Sequence, residues 1–201
     1  MKILLATRNT NKIKEITAIF ADARIQFLTL DQFPNVPEVD EDRPTLEGNA
    51  EKKATEVSKH SGVIALADDS GLEIDFLDGA PGVISARFAG PGCSYQDNNL
   101  KVLTLMKGVP SDQRKARFRS VISIAGPGIN TQTVEGSLEG FITDQMRGED
   151  GFGYDPIFLV PEHGKTLAEM GPNQKNSLSH RYKALQAIHP VLLALNEAKQ
   201  L

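Results

Sequence analysis

The amino-terminal part of the chain alternates between the hydrophobic periods of strands and of helices. Residues 2–6 (KILLA) form a short apolar run typical of a buried strand. Ile13, Ile16 and Phe20 then follow at the i, i+3 and i+7 spacing of an amphipathic helix. Because residues 25–30 return to an apolar strand pattern, the chain is predicted to open as strand, helix and strand.

The next segment predicts a helix between two capping residues and then two strands separated by a polar segment. Thr45 is a typical N-cap and Gly62 a typical end of a helix, so a helix is expected between them. The apolar run 63–67 predicts a strand that ends at the polar segment 68–71 (DDSG), and residues 72–76 resume a strand pattern. This pattern places two carboxylates at the end of a buried strand.

The second half of the chain predicts a helix, a hairpin, a strand and a final helix, with glycine-rich segments between them. We expect a flexible segment at 78–92, a helix marked by Leu100, Leu103 and Met106, hairpin strands at 116–125 and 132–143, a loop at 148–156, a strand at 157–160, and a helix at 179–199 with a break or kink near Pro190. Early alternation of strands and helices followed by a hairpin indicates an α/β protein with a mixed sheet.

Composition and charge exclude several classes of protein. With 201 residues, of which 40% are hydrophobic, residues 1–201 are predicted to form one domain, or at most two small lobes sharing a core. No apolar run reaches the roughly 20 residues that span a bilayer, and polar residues from Thr7 onward come too early for a signal peptide, so we expect no membrane partner and a cytoplasmic location. A net charge of −4 argues against nucleic-acid binding. The single cysteine, Cys93, excludes an internal disulfide and a cysteine-rich metal site.

A polar turn between the first strand and the first helix is a candidate phosphate site. Free backbone N–H groups and the positive end of the helix dipole would point to one place, and Lys12 would add a positive charge. The glycine pattern of a P-loop is absent, and the alternative is a well-capped helix with a solvated lysine. The candidate residues are Thr7, Arg8, Asn9, Thr10, Asn11 and Lys12.

The pair Asp68 and Asp69 offers hard oxygen ligands suited to Mg²⁺, which commonly takes one or two protein carboxylates together with substrate phosphates. Successive side chains of a strand point to opposite faces, so one aspartate of the pair is expected to face the ligand. The alternative is a turn in which the carboxylates cap backbone amides. The acidic run 38–42 could supply a second carboxylate to the same metal, although such a run is commonly a solvated surface.

Two further segments carry chemistry suited to a nucleotide. In the glycine-rich loop, Phe152 or Tyr154 could stack on a base while glycine amides and Asp155 read its polar edge; alternatively, the aromatic residues anchor the loop to the core. The basic residues near the last helix could bind phosphate or a base carbonyl, or face water. Because the protein is acidic overall, a triphosphate would require cations gathered locally. The candidates are Lys12, Lys53, Lys175, His180 and Arg181.

Six motifs in a fixed order resemble the inosine triphosphate pyrophosphatase family. They are ATRNTNK, TLEGNAEKKA, ALADDSGLEID, GAPGVISARFAG, GFGYDPIF and QKNSLSHRYKAL, and the likeness spans residues 6–185. The resemblance implies an α/β protein with a mixed central sheet flanked by helices, and two lobes with an active-site cleft between them. It also implies a Mg²⁺-dependent homodimeric enzyme that hydrolyses ITP, dITP and XTP to the monophosphate and pyrophosphate.

The same resemblance implies roles for individual residues. Asp69 would bind Mg²⁺ and act as the general base. Glu41, with Asp40 as the alternative, would share the metal, and Lys53 would face the phosphates. The triphosphate would lie on residues 7–12. The remaining contacts to the nucleotide would come from Ser70, Phe152, Gly153, Tyr154, Asp155, Lys175, His180 and Arg181.

The hydrolase hypothesis expects a water molecule, deprotonated with the help of Asp69, to attack the α-phosphorus. A buried donor such as Arg181 or a loop amide would pair with the 6-carbonyl of the base. Two other functions are compatible with the same residues. A phosphatase acting on nucleotides or sugar phosphates would release orthophosphate instead of pyrophosphate, and a nucleotide-binding or sensing module would bind ITP without turnover.

Overall fold

The computed structural model describes residues 1–21 and 25–198 of the chain. The strands are β1 (Lys2–Leu5), β2 (Gln26–Leu28), β3 (Ala65–Ile74), β4 (Lys115–Gly126), β5 (Ile129–Ile142), β6 (Phe158–Val160) and β7 (Lys165–Thr166). The α-helices are α1 (Thr10–Ile19), α2 (Leu46–Ser61), α3 (Tyr95–Leu105), α4 (Pro172–Leu178) and α5 (His180–Ala198). Among the helices in these described ranges, none has the length and hydropathy needed to cross a membrane.

The seven strands form one mixed sheet in the order β2-β1-β3-β4-β5-β6-β7. Strand β1 is parallel to β2 and to β3, with Leu4 opposite Leu28 and Leu5 opposite Leu66. Strand β6 is antiparallel to β5 and to β7. The neighbours β4 and β5 are joined by two residues, a connection that a hairpin allows and a parallel crossover does not. The predicted mixed sheet and its hairpin are therefore confirmed.

The chain divides into two compact units. Unit 1 comprises Met1–Asp69, Ser120–Gly136 and Arg181–Leu201, and unit 2 comprises Ser70–Arg119 and Ser137–His180. The single domain and the cleft between two lobes that the sequence predicts stay predictions.

In unit 1, helices cover both faces of the sheet because successive residues of β1 point to opposite sides. Ile3 and Leu5 pack in one apolar cluster with Ile16 of α1 and with the buried residues of α5. Leu4, between them in sequence, packs in a separate cluster with Ala54 of α2. The amphipathic stripe predicted for the first helix therefore lies against one face of β1, and α2 lies against the other.

The core of unit 2 is built around aromatic rings of β4 and β6. The rings of Phe118 and Phe158 lie with their centroids 4.6 Å apart inside a cluster of buried apolar side chains. The guanidinium of Arg114, also buried, donates to the carbonyl oxygens of Met106 and Ile142 at 2.7 and 2.6 Å. These hydrogen bonds join the end of α3 to the end of β5.

Capping fixes the predicted ends of α2. The hydroxyl of Thr45 accepts a hydrogen bond from the N–H of Gly48 at 3.0 Å, as an N-cap does. Gly62 adopts φ +71°, and its N–H donates to the carbonyl of Ser58 at 2.9 Å. The last helix, α5, continues through Pro190, so the predicted break at this residue is wrong. A kink at Pro190 stays a prediction. The predicted end of that helix at Lys199 lies outside the described residues.

The interruption predicted between two strands at residues 68–71 is wrong, and so is the alternative of a turn there, because β3 runs continuously from Ala65 to Ile74. Gly71 is needed here for close packing of two backbones and not for a turn. A Cβ at this position would lie 2.5 Å from the carbonyl oxygen of Gly82. That carbonyl belongs to the segment predicted to be flexible, which contains 3₁₀ turns at Gly82–Arg87. Ser85 joins this segment to β3, because its hydroxyl accepts a hydrogen bond from the N–H of Leu72 at 2.9 Å.

Glu73, on β3 in unit 2, provides a test of pH-dependent stability. Burial alone would raise its pKa, but hydrogen bonds from Arg119 at 3.0 Å and Arg117 at 2.7 Å hold the pKa below the ordinary 4.5. A carboxylate with a lowered pKa stabilises the fold above its ordinary pKa and loses this contribution as the pH falls through the folded-state pKa. We expect Glu73→Gln to lose at most about 1 kcal/mol of unfolding free energy at pH 7, measured by urea denaturation.

The loss in Glu73→Gln should shrink toward zero as the pH falls below 4.5. The exposed Glu162 provides the control, since Glu162→Gln should leave the urea midpoint unchanged both at pH 7 and below pH 4.5. A loss of stability in Glu73→Gln that stays constant with pH would contradict the assignment.

Candidate active site

Lys53 is the centre of a buried charged cluster in unit 1. It lies on the face of α2 that also buries Ala50 and Ala54. Its ammonium donates to Asp69 Oδ1 at 2.8 Å, to Glu41 Oε1 at 2.7 Å and to the carbonyl oxygen of Asp68 at 3.0 Å. Lys53 therefore joins α2, β3 and the acidic loop at residues 38–42. It is not the exposed surface charge that a lysine in a helix ordinarily is.

The acidic loop presents Glu41 to this cluster and directs its neighbours elsewhere. Asp40 is exposed, and its carbonyl oxygen accepts a hydrogen bond from Lys52 at 2.9 Å. The carboxylate of Asp42 pairs with the same lysine, also at 2.9 Å. The geometry therefore favours Glu41 over Asp40 as the acid that shares a site with Asp69.

The carboxylate of Asp68 has different partners from that of Asp69. One of its oxygens lies 3.3 Å from the ammonium of Lys12, and the other accepts from Nε of Arg181. The guanidinium of Arg181 also donates to Glu15 at 2.5 Å and is 1% exposed. The difference follows from strand geometry, because neighbouring residues of β3 direct their side chains to opposite faces.

The titrating groups of this cluster have shifted pKa values with identifiable causes. Burial raises the pKa of Asp69 above 3.8, although Lys53 and Lys12 oppose the shift. Burial lowers the pKa of Lys12, with Asp68 opposing. Burial alone would also lower the pKa of Lys53, but Asp69 and Glu41 outweigh it and raise that pKa. Lys53 is therefore held in its charged form, while Asp69 is a stronger proton acceptor than an ordinary carboxylate.

One carboxylate oxygen of Asp69 is available to bind a ligand or accept a proton. Asp69 is 5% exposed, and its Oδ2 is buried without a hydrogen-bond partner among residues 1–21 and 25–198. A buried carboxylate oxygen without a partner is costly, and such groups concentrate at functional sites. Oδ2 is thus the acceptor in this cluster that a ligand, a water molecule or a metal ion can use.

The polar turn at residues 7–12 is organised by helix capping. The side-chain oxygen of Asn9 accepts from the N–H groups of Asn11 at 3.0 Å and Lys12 at 3.3 Å, and the N–H of Asn9 donates to Thr7 Oγ1 at 3.1 Å. Thr10, exposed, is the first residue of α1. Arg8 is half-exposed and lies 3.8 Å from Asp31. Lys12 is the residue of this turn that contacts Asp68.

A second group of candidate residues lies in unit 2, around the glycine-rich loop. Oδ2 of Asp155, which is buried, accepts from the N–H of Phe152 at 2.8 Å and from the ammonium of Lys175 at 2.5 Å. The same ammonium lies 4.7 Å from the centroid of the Phe152 ring, a cation–π contact. Asp155 therefore holds the backbone of Phe152 and the ammonium of Lys175, and this ammonium contacts the Phe152 ring. Gly153, at φ +65°, follows Phe152 in the loop.

The other predicted contacts in unit 2 differ in their surroundings. Tyr154 is buried, its hydroxyl donates to the carbonyl of Ser85 at 2.7 Å, and burial raises its pKa. This geometry favours the alternative in which Tyr154 anchors the loop to the core. His180 is buried with its ring stacked on Phe118 at 4.6 Å between centroids. Ser70 is half-buried on β3, next to Asp69 in sequence.

Two residues that contact these groups carried no recognisable signal in the sequence. Glu15, a partner of Arg181, lies among ordinary polar positions of α1. Asn99 of α3 is buried and donates to the carbonyl of Gly153 at 2.8 Å. Both contacts join positions distant in sequence, so neither local periodicity nor a motif could have indicated them.

The donor set of the first cluster fits a magnesium ion. The described residues contain no group of three or more His, Cys, Asp or Glu side chains arranged to hold a metal. Mg²⁺ does not require one, because it commonly uses one or two carboxylates and takes its other ligands from water and phosphates. The carboxylates of Asp69 and Glu41, which meet at the ammonium of Lys53, supply such a pair.

Comparisons with known proteins place the chain in a family. The sequence matches the model of the Ham1 family over residues 3–191. A protein of Desulforamulus reducens named dITP/XTP pyrophosphatase is 50% identical over 192 residues, which cover 96% of each chain. A protein of Geobacter sulfurreducens with the same name is 47% identical over 184 residues, which cover 92% of each chain.

The fold agrees with a solved structure over nearly its full length. The structure of a HAM1 protein from Coxiella burnetii matches with a TM-score of 0.88 at 39% identity, covering 96% of this chain and 99% of that one. These matches confirm the resemblance that the six sequence motifs indicate and the α/β fold that it implies. The chain belongs to the Ham1 family.

Proposed function

We propose that the protein hydrolyses non-standard purine nucleoside triphosphates (ITP, dITP and XTP) to the nucleoside monophosphate and pyrophosphate, and so removes them from the nucleotide pool. The name dITP/XTP pyrophosphatase of relatives that are 50% and 47% identical supports this substrate class. The observation that carries the proposal is the buried Oδ2 of Asp69, which has no hydrogen-bond partner within the described part of the chain, on a carboxylate that also binds the cationic Lys53. A base next to a cation suits hydrolysis of a phosphoanhydride, because the base accepts the proton of the attacking water while the cation stabilises negative charge.

Asp69 is the general base of the proposed reaction. Its raised pKa suits it to accept a proton from the water that attacks the α-phosphorus, and so does Oδ2, which no donor among the described residues occupies. The new P–O bond forms as the bond between the α-phosphorus and the bridging oxygen breaks. Pyrophosphate then leaves with the electron pair of the broken bond.

The cations of unit 1 neutralise the phosphates. Lys53 stays charged because two carboxylates raise its pKa, and Lys12 lies at the start of α1, where the helix dipole favours anions. Local charges are needed because the chain carries a net charge of −4. Residues 7–12 would contact the triphosphate through this turn.

Mg²⁺ is the proposed cofactor, held by Asp69 and Glu41. When bound, it would supply the charge neutralisation that phosphoryl chemistry needs in addition to the two lysines. A purine base would stack on Phe152, near the donor Lys175. The other residues proposed to shape or line the nucleotide site are Gly153, Asp155, Tyr154, Ser70 and His180. Arg181 stays a predicted nucleotide contact, although its Nε and one terminal nitrogen already bind Asp68 and Glu15.

Product analysis tests the reaction type. Incubation of the protein with ITP and Mg²⁺ should yield inosine monophosphate and pyrophosphate in equal amounts, measured by anion-exchange chromatography, with little turnover after removal of the metal by a chelator. Release of orthophosphate would reject the proposal in favour of a phosphatase. Tight binding of ITP without any product would favour a nucleotide-binding module.

We further propose that the protein is a cytoplasmic homodimer. Support for a second copy comes from large apolar side chains that are exposed in unit 2, since exposed apolar surface commonly marks an interface. They are Phe76, Ile84, Tyr95, Leu100, Leu105 and Met146. Support for the location comes from the substrate class, because nucleoside triphosphates are made and used in the cytoplasm.

A further inference from the structure

Asn99 joins α3 to residues 151–155 (GFGYD) of the glycine-rich loop. Its side-chain amide donates to the carbonyl oxygen of Gly153 at 2.8 Å and to that of Tyr95, one turn earlier in α3, at 2.9 Å. Asn99 is 2% exposed. Because the site is buried, water does not replace these hydrogen bonds when they are lost, and the loop depends on Asn99 for them.

A second contact joins the same two segments. The ring of Tyr95 lies 6.0 Å from the ring of Phe152, tilted by 47°. Tyr95 and Asn99 are four residues apart in α3, and residues at this spacing share one face of a helix. One face of α3 therefore contacts both the aromatic ring and the backbone of the loop.

The side-chain oxygen of Asn99, Oδ1, indicates that the site requires the N–H groups of this residue and not its oxygen. Oδ1 of Asn99 is buried and accepts no hydrogen bond within the described part of the chain. An unsatisfied buried acceptor destabilises the fold, and an apolar side chain would avoid that cost. An apolar side chain could not hold the carbonyl of Gly153, so the arrangement sacrifices some stability to restrain the loop.

The hydrogen bond to Gly153 sets the direction of the peptide unit between Gly153 and Tyr154. The C=O and N–H of a trans peptide point in opposite directions, so the N–H of Tyr154 points away from Asn99. Gly153 adopts φ +65°, in the left-handed region where glycine has wide freedom, and it needs an external restraint to keep one conformation.

We propose that Asn99 is a positioning residue for recognition of the purine base, a role that rests on the proposed function. It acts through Gly153 and keeps the loop in the conformation in which Phe152 stacks on the base. The reacting groups lie in the cluster around Asp69, so loss of the restraint should weaken substrate binding more than it slows the chemical step.

Asn98 provides a matched control on the same helix. It is also 2% exposed, but its side chain holds a different loop. Its amide nitrogen donates to the carbonyl of Ala86 at 3.2 Å, and its oxygen accepts from the N–H of Ala89 at 2.7 Å. Asn98→Ala therefore removes hydrogen bonds of the same kind from α3 without touching Gly153.

Hydrogen exchange in the substrate-free protein tests the positioning without reference to activity. Asn99→Ala should raise exchange about tenfold in a peptide covering residues 151–155 and leave residues 86–93 unchanged, and Asn98→Ala should do the reverse. Unaltered exchange at residues 151–155 in Asn99→Ala would overturn the proposal.

Steady-state kinetics with ITP test the role in recognition. Asn99→Ala and the nearly isosteric Asn99→Asp, which keeps the shape but lacks the donor, should each raise KM about tenfold with kcat within about threefold of wild type. Asn98→Ala should keep the wild-type KM. An unchanged KM in Asn99→Asp, or an equal rise in Asn98→Ala, would overturn the proposal. If the wild-type protein does not hydrolyse ITP, the proposed function fails instead, and the exchange experiment still decides whether Asn99 positions the loop.

Discussion

Replacing Asp69 by asparagine is expected to lower kcat for ITP by about a thousandfold or more without loss of stability. An amide cannot accept the proton that Oδ2 takes from the attacking water. Because burial raises the pKa of Asp69, its ionised form is disfavoured in the fold, and ionised Asp69 destabilises the protein at any pH above the ordinary 3.8. Asparagine removes this destabilisation, and Lys53 keeps its ion pair with Glu41 at 2.7 Å, so the urea midpoint at pH 7 should stay equal or rise.

The exposed Asp75, six residues farther along the chain, gives a control with the same chemical change. Asp75→Asn should keep both the turnover and the urea midpoint of the wild type. If Asp69→Asn retained turnover within about tenfold of wild type, Asp69 would not be the base. If it lost turnover only together with its far-ultraviolet circular dichroism, the loss would reflect unfolding and the assignment would fail.

Replacing Asp68 by asparagine should have the opposite pattern, with a large loss of stability. The carboxylate of Asp68 compensates the charges of the half-buried Lys12 and the buried Arg181. Its neutral replacement leaves Arg181 with Glu15 as its charged partner from this cluster. Breaking a buried ion pair by removing one partner destabilises a protein by about 3 to 5 kcal/mol. We expect a loss of about 3 kcal/mol in the unfolding free energy measured with urea.

A surface pair of the same composition serves as the control. Asp31 is paired with Arg8 at 3.8 Å, but its side chain is 90% exposed. Asp31→Asn should change the unfolding free energy by less than about 0.5 kcal/mol, because water screens exposed pairs. Equal losses in Asp31→Asn and Asp68→Asn would mean that burial of the Asp68 pair contributes nothing.

The elements that the sequence predicted well are those with local signals. The α2 helix was bounded correctly because Thr45 and Gly62 act on backbone groups within one turn of themselves. The hairpin of β4 and β5 was found because two long apolar patterns flank a short glycine-containing turn. Residues 68–71 were misassigned because Asp, Ser and Gly favour turns, whereas pairing with neighbouring strands and close packing at Gly71 keep them in β3.

The sequence predicts many residues of the candidate site but not the contacts between them. Lys12, Lys53 and Asp69 were selected by residue type and by their motifs, and the structure brings them into one cluster. The partner of Arg181, Glu15, lies 166 residues away in sequence. Contacts over such distances depend on the complete fold, and no periodicity or spacing in a single sequence encodes them. The choice of Glu41 over Asp40 likewise required the path of the loop.

The placement of two adjacent aspartates on opposite faces of β3 limits how this strand can evolve. A point substitution elsewhere in the strand leaves each carboxylate with its own partners. A one-residue insertion or deletion between Ala65 and Asp68 would shift the register of β3. The side chains of Asp68 and Asp69 would then each point to the face that the other occupies now. Gene variants in this segment should therefore tolerate changes of residue but not changes of length.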